Sequence, residues 1–406
     1  CRWRARTSYW CLRVNISLVK PWHPKVSQLR NVCRAGVISV AMFALLGCFG
    51  GSTVKQSIDD YAARLSRVLD TPLPDSFNDK ITTPLPKLAD SATLKQAIEG
   101  VNINLREFYA LQDCELGTVV AERNTSLGKS QLPSQRLVYE SKLLNVLKSC
   151  EAALTKENES NQRNAALAAT IASWREQKTQ DYSKTWANLV QGSQELRLAL
   201  NTPERLFSVE NNRDALSSVN ALYYINSLSN KELLLSDMYS SNTASSDTET
   251  EATNENNSER IIESSELEQQ LKIIRSARLP ATLWHTQQTL TQNLSLLTNM
   301  LETELDAVSC PEGRASDKAK ILRNVFYLFF IEEIQPVGSL VNQYHYKLAP
   351  LWEDWLAQPS LHEEFKRYIR QQSQDGFNQY SSAMKAHVNL WQGFLGRCNL
   401  SPVAPV

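Results

Sequence analysis

The chain has 406 residues, 43 Lys and Arg against 43 Asp and Glu, and a mean hydropathy of −0.35. That length holds one large domain or two smaller ones and is enough to bury a sizeable core. The neutral total hides an asymmetry. Eight of the basic residues and no acid fall in residues 1–47, so residues 48–406 carry a net charge of −8, which excludes the basic footprint of a nucleic-acid-binding protein.

Residues 1–29 begin with Cys1, precede the first methionine, Met42, and carry Trp3, Trp10 and Trp22 among basic residues. They read as an extension from a mis-assigned start, with initiation expected near Leu29 or Val32. The run "VISVAMFALLGCFGG", Val37 to Gly51, is shorter than the roughly 20 apolar residues of a membrane span. Its flanks fit a secretory leader instead: Arg30 and Arg34 come first, then an apolar centre, then small residues. Leu45-Leu46-Gly47-Cys48 resembles the lipobox of bacterial lipoproteins, in which the cysteine is acylated and becomes the first mature residue. Residues 1–47 are therefore expected to be a removed leader and Cys48 the lipidation site. Phe49, where Asp commonly marks inner-membrane retention, points to a lipid-anchored protein of the outer membrane; the periplasmic face is the one expected, and the leader leaves the exterior face open. An acidic protein is not drawn to anionic headgroups, so the acyl chains are expected to supply the membrane attachment.

Val54, Ile58, Tyr61, Leu65 and Val68 recur at helical spacing and predict a first helix. Asp70 to Asp90 holds four prolines and cannot be regular helix; it reads as an extended strap along the bundle. Glu115 to Arg123 reads as a short helix and Asn124 to Pro133 as a turn. Gly128 is expected to stop the first helix, and Ser134 to cap a second that runs to about Cys150. Leu167, Ile171, Trp174, Tyr182, Trp186 and Leu189 mark a long helix. Tyr239 to Arg260 has no Val, Ile, Leu or Phe and is acidic up to Arg260; it reads as a disordered loop between an N-terminal half (48–238) and a C-terminal half (261–406). Leu290, Leu294, Leu297, Leu301, Leu305 and Val308 form another stripe, with Pro280 near its start, where a missing N–H costs nothing. Phe377, Tyr380, Met384, Val388, Trp391 and Leu395 form the last. No stretch alternates with period two. The fold class expected is all-α, an antiparallel helical bundle, with one domain or two left open.

Cys114, Cys150, Cys310 and Cys398 remain beyond the leader and the lipidation site. In an oxidising compartment four cysteines allow three pairings. Cys114 with Cys150 and Cys310 with Cys398 are favoured, because each pair lies within one half and a hairpin would bring the first two together. None of these cysteines has the C-x₂₋₄-C spacing of a zinc site, and no metal or cofactor is expected.

Catalytic patterns are wanting. Gly128-Lys129-Ser130 ends like a P-loop, but Arg123 stands where its first glycine belongs. His362-Glu363-Glu364-Phe365 begins like a metalloprotease helix, but Lys366 stands where the second histidine belongs, and a solvated helix start explains it better. There is neither a G-x-S-x-G elbow nor a dinucleotide fingerprint. His285, His345 and His387 are isolated, and His387, beside the apolar stripe, reads as a structural histidine. The hairpin collects Glu122, Arg123, Arg136 and Glu140. A functional reading takes Glu122 and Glu140 as paired acids, or Arg123 and Arg136 as a fork for a carboxylate or phosphate. The alternative is an ion-pair network that fixes the hairpin.

Three stretches, "CELGTVVAERNTSLGK", "LPSQRLVYE" and "HVNLWQGFLGRCNLSP", are similar to an uncharacterised family of proteobacterial lipoproteins, domain of unknown function 3080. "DDYAARLSRVLD" and "CPEGRASDKAKILRNVF" fit as well, and the resemblance runs from about Val54 to Pro402. It implies an envelope lipoprotein with the polar hairpin as its hallmark and implies no reaction. Two functions are expected from the sequence. The first is a non-catalytic scaffold or partner-binding lipoprotein with an unidentified envelope partner; the second is an enzyme or small-ligand receptor that uses the hairpin cluster.

Overall fold

The structure, a computed structural model, describes residues 54–77, 86–101, 103–111, 114–156, 162–201, 205–209, 213–229 and 262–402. The leader, Cys48 and the acidic loop lie outside the described residues. Among the described residues every regular element is helical, and the fold is the all-α antiparallel bundle that the apolar spacing predicts. No helix among them is long and apolar enough to cross a membrane.

Helix α1 (Val54–Leu69) buries Val54, Ile58, Tyr61, Ala62, Leu65 and Leu69, one face at steps of three and four. Its end is set by Asp70, at φ 60°, and by a hydrogen bond from the Thr71 N–H to the Ser66 carbonyl at 3.1 Å. This is the left-handed helix stop that usually takes glycine. The strap that follows is non-helical where described, apart from one 3₁₀ turn at Asp75–Phe77. Phe77 and Leu88 pin it to the core, and Arg197 donates to the Ala89 carbonyl at 2.8 Å.

The chain then makes α2 (Ser91–Leu94), α3 (Leu105–Ala110), α4 (Leu116–Asn124), α5 (Ser126–Lys129), α6 (Pro133–Lys156) and α7 (Gln162–Gly192). It continues through α8 (Gln194–Leu200), α9 (Arg213–Ser227), α10 (Ser264–Ala277) and α11 (Leu279–Ala307). A single residue, Arg278 at φ 48°, turns the corner between α10 and α11, and Pro280 sits in the first turn of α11 as predicted. Helix α12 (Asp317–Val325) runs through a π-helical stretch, Phe326–Ile334, into α13 (Gln335–Ala357). A second π-helical turn, Gln371–Asp375, joins α14 (Glu363–Arg370) to α15 (Gly376–Arg397). His362 caps α14 through Nδ1, which accepts the Glu364 N–H at 3.2 Å, so the His-Glu-Glu-Phe stretch is the solvated helix start it was read to be.

Helices on the two sides of the acidic loop pack on one another. Helix α1 packs on α12 and on Phe326–Ile334, and α8 and α9 pack on α10. The described residues, from Val54 to Pro402, fall in one compact unit. One large core joins them, with a tryptophan cluster in which Trp352 lies 5.3 Å from Trp355 and 5.6 Å from Trp284, ring to ring. A smaller, separate core lies under the hairpin and holds Leu116, Val119, Leu143, Leu147, Cys150 and Ile171.

Both expected disulfides form, Cys114–Cys150 with Cα atoms 5.7 Å apart and Cys310–Cys398 with 5.2 Å. The second ties the connection between α11 and α12 to the end of α15. Beside it Gly313, at φ +74°, lies so close to Asn399 that a Cβ would come within 2.4 Å of the Asn399 Nδ2.

Candidate functional site

The hairpin is assembled by backbone contacts that only part of its sequence announces. Thr125 ends α4 and caps α5: its hydroxyl donates to the Glu122 carbonyl at 2.8 Å and accepts the Gly128 N–H at 3.0 Å. Gly128 does not stop a helix, as expected from sequence, but sits inside α5 with an ordinary φ. Its reason is proximity, since a Cβ there would lie 2.3 Å from the Glu122 carbonyl oxygen and 2.7 Å from that of Arg123. The Arg123 guanidinium donates to the Gly128 carbonyl and closes the turn. Ser134 is not the cap of α6, because the helix already begins at Pro133, the position where proline's missing N–H is harmless. The Gln135 side chain accepts the Leu132 N–H at 3.1 Å instead, and the Ser134 hydroxyl donates to Glu268 at 2.7 Å, linking α6 to α10.

Arg136, Glu140 and Lys178 make the electrostatic centre. Glu140 is 2 % exposed; its carboxylate pairs with Arg136 one turn earlier on α6 and with Lys178 of α7 at 3.6 Å. Burial first, and the neighbouring Arg136 charge second, lower the Arg123 pKa from its usual value. Tyr139, beneath the Arg136 guanidinium at 5.3 Å, is pushed up to about 12 by burial and by Glu140. Glu122 takes no part. It points away to Lys142 at 3.8 Å with its side chain 55 % exposed, so Glu122 and Glu140 are not paired acids. The structure therefore brings together three of the four charged residues predicted and leaves the fourth at the surface. Glu140→Gln should cost about 3 kcal/mol, because two cations lose their buried counter-charge, whereas Glu122→Gln should stay within about 0.5 kcal/mol. Urea denaturation of the two variants checks this, and equal effects would contradict the assignment.

These cations rim a cavity. An inner chamber of about 400 Å³ is lined on its polar side by Arg123, Lys129, Arg136, Lys178 and Glu140, four positive groups to one negative. Arg123, Lys129 and Arg136 also border an outer cleft of about 850 Å³ that runs past Lys95, Gln96 and Asn188. The Arg136 Nη1 is buried without a hydrogen-bond partner. Such a rim, charge-assisted and partly desolvated, is suited to hold a carboxylate or phosphate. It offers no nucleophile beside a base. Among the described residues no group of three or more His, Cys, Asp or Glu could hold a metal ion.

Sequence reasoning missed Lys178 and Lys129 as site residues. Lys178 was nonetheless signalled by spacing: it falls four residues after Trp174 and four before Tyr182, on the buried face of α7. The histidines stay apart. The His285 Nδ1–H donates to the Arg205 carbonyl at 3.3 Å, and His345 stacks on Phe377 at 3.4 Å, with burial lowering its pKa to about 4. His387 is wholly buried and hydrogen-bonded at both ring nitrogens, the structural role expected.

No curated protein and no solved structure matches the chain. A family model described as "Protein of unknown function (DUF3080)" matches it over residues 58–250 and 235–402, from α1 to the end of the described chain and across the whole hairpin. The chain belongs to the DUF3080 family.

Proposed function

We propose that the protein is a lipid-anchored binding protein of the cell envelope that captures a small anionic molecule in the hairpin cleft, and that it is not an enzyme. The observation that carries the reading is the rim of Arg123, Lys129, Arg136 and Lys178 around a cavity, within residues 48–406 that are net acidic. Glu140 holds Arg136 and Lys178 in place, while among the described residues no carboxylate lies within ion-pair distance of Arg123 or Lys129. An incoming anion would relieve the crowding of like charges there. Lipidation at Cys48 and an outer-membrane, periplasm-facing location rest on the leader pattern, and the two disulfides are in keeping with an oxidising compartment.

Titration of inorganic phosphate and phosphate monoesters, followed by thermal unfolding, tests the cleft. The expected result is a stabilisation that weakens with added salt and an affinity at least tenfold lower in Lys129→Glu, an exposed position that leaves the fold intact. Stabilisation of the variant equal to that of the parent would overturn the reading. For the anchor, Cys48→Ala should lose the acyl mass and leave the membrane fraction.

One observation favours the partner-binding reading alongside. Leu105, Tyr109, Leu127 and Leu132 are 69, 59, 79 and 61 % exposed, all on α3 and the hairpin connection. Exposed apolar groups of this size suit a protein contact. Leu127→Ser with Leu132→Ser should then abolish crosslinking to an envelope partner in cells while leaving anion binding unchanged.

A further inference from the structure

The cleft's charges account for only part of the chamber's lining. The rest is largely apolar and includes Ile103, Leu116, Val120, Leu143, Leu147 and Trp174. Leu116, Leu143 and Leu147 belong to the small core, and Ile103, Val120 and Trp174 pack against it while remaining only partly buried. Apolar walls that face an unfilled space forgo the dispersion contacts that a closed core would give them. An apolar occupant restores those contacts and removes its own surface from water. Arg123, Lys129 and Arg136 border both the chamber and the second cleft, so the cations stand where the two cavities adjoin. A ligand that satisfied both kinds of lining would carry a charged group beside those cations and an apolar chain against the chamber's apolar residues.

From this division of the cavity we infer that the ligand is a single-chain anionic amphiphile, its carboxylate or phosphate held between Arg123, Lys129 and Arg136 and its hydrocarbon chain against Leu147 and Trp174. The inference rests on the anion-binding reading and adds the chemical class to it. Two sources share this chemistry, a free fatty acid and a lysophospholipid. The outer cleft, lined by Gln96, Thr185, Asn188 and Gln191, has room for the polar part that a lysophospholipid carries beyond its phosphate and a fatty acid lacks.

The experiment is a calorimetric titration of the full chain with alkyl phosphates and alkyl carboxylates of increasing length below their micelle concentrations. Decanol serves as the neutral probe, inorganic phosphate as the headgroup alone, and a lysophospholipid as the third arm. Affinity should rise about fourfold per methylene until the chamber is full, the fold-change that corresponds to the ~0.8 kcal/mol of burying a CH₂. Decanol should bind at least tenfold more weakly than decyl phosphate. In Val120→Phe, which fills the chamber at a half-buried position, the dependence on chain length should vanish while phosphate binding stays. Affinity independent of chain length in the parent protein would overturn the amphiphile and leave the anion site standing. Decanol binding as tightly as decyl phosphate would overturn both, as would the absence of saturable binding by every probe. A lysophospholipid that binds more tightly than a fatty acid of equal chain length identifies the phosphate-bearing source; the reverse order identifies the fatty acid.

Discussion

Replacing His387 by Ala is expected to destabilise the protein by about 3–5 kcal/mol, through the volume lost and the hydrogen-bond partners left unpaired in the core. The ring is wholly buried, between Tyr61 of α1, Phe330 of the π-helical stretch and Thr298 of α11. The Trp391 indole N–H can only donate, and it lies 3.2 Å from Nε2, so Nε2 is the acceptor. The Tyr61 hydroxyl donates to the same nitrogen at 3.0 Å. Nδ1 therefore carries the proton and donates to the Thr298 hydroxyl at 3.0 Å, which passes its own hydrogen to the Leu294 carbonyl at 2.7 Å. Every polar atom in the set is used only while the imidazole is neutral. Burial lowers the His387 pKa to about 3. Because the native value lies below the unfolded one of about 6.5, the unfolded chain takes up a proton that the native state refuses. The stability from neutral His387 is full above about pH 6.5 and is lost at about 1.4 kcal/mol per unit as the pH falls towards 3. Between pH 7 and 5 this amounts to about 2 kcal/mol. Urea denaturation across that range should show the acid slope reduced by about one proton in His387→Phe relative to the parent, whatever the variant's absolute stability. An unchanged slope would show that the native histidine is already charged.

His387 also shows how far the fold was legible. The stripe Phe377, Tyr380, Met384, Val388, Trp391, Leu395 gave the helix and its face, but placed the histidine beside the buried line. In the structure the line runs through Tyr380, Ala383, His387, Trp391 and Leu395, and Val388 is only half-buried. A polar residue was set aside by its type although its spacing qualified it, and Lys178 was overlooked in the same way. Long helices such as α11 were readable because burial against neighbours follows a period, and Leu290, Leu294, Leu297, Leu301 and Leu305 all lie in the core. Features made by contact between distant segments were not. The clash that demands glycine at position 128 comes from carbonyls of α4, the counter-charge of Glu122 comes from Lys142, and neither contact has a period. The two π-helical stretches also have no signature in apolar spacing, since Phe326, Phe330 and Ile334 step by four as an α-helical face would.

Removing the two disulfides is expected to produce similar losses of chain constraint and different patterns of unfolding. They close segments with sequence separations of 36 and 88 residues, for which loop entropy alone gives about 4 and about 4.5 kcal/mol. The Cys310–Cys398 bridge joins two ends within the main core, where Cys398 is itself fully buried, so Cys310→Ser with Cys398→Ser should lower the main thermal transition. The Cys114–Cys150 bridge joins the α3 and α4 lobe to α6 within the small core. Few other groups hold that lobe: α3 buries no residue, Leu111 after it and Leu116, Gly117 and Val119 of α4 are buried, and Glu115 and Glu122 pair with Lys142 of α6 at the surface. Without the bridge the lobe can lift from α6 while the large core stays closed, a local opening and not a global one. Such an opening separates Arg123 and Lys129 from Arg136 and Lys178, since the first two ride on the lobe and its connection and the others on α6 and α7. Cys114→Ser with Cys150→Ser should therefore leave the main transition within a few degrees, add a separate low-temperature phase, and abolish anion binding well before the protein unfolds. Hydrogen exchange distinguishes the two cases by residue: fast exchange confined to about residues 103–130 supports the hinged lobe, whereas uniform acceleration throughout would mean that the small core and the large one unfold as a single unit.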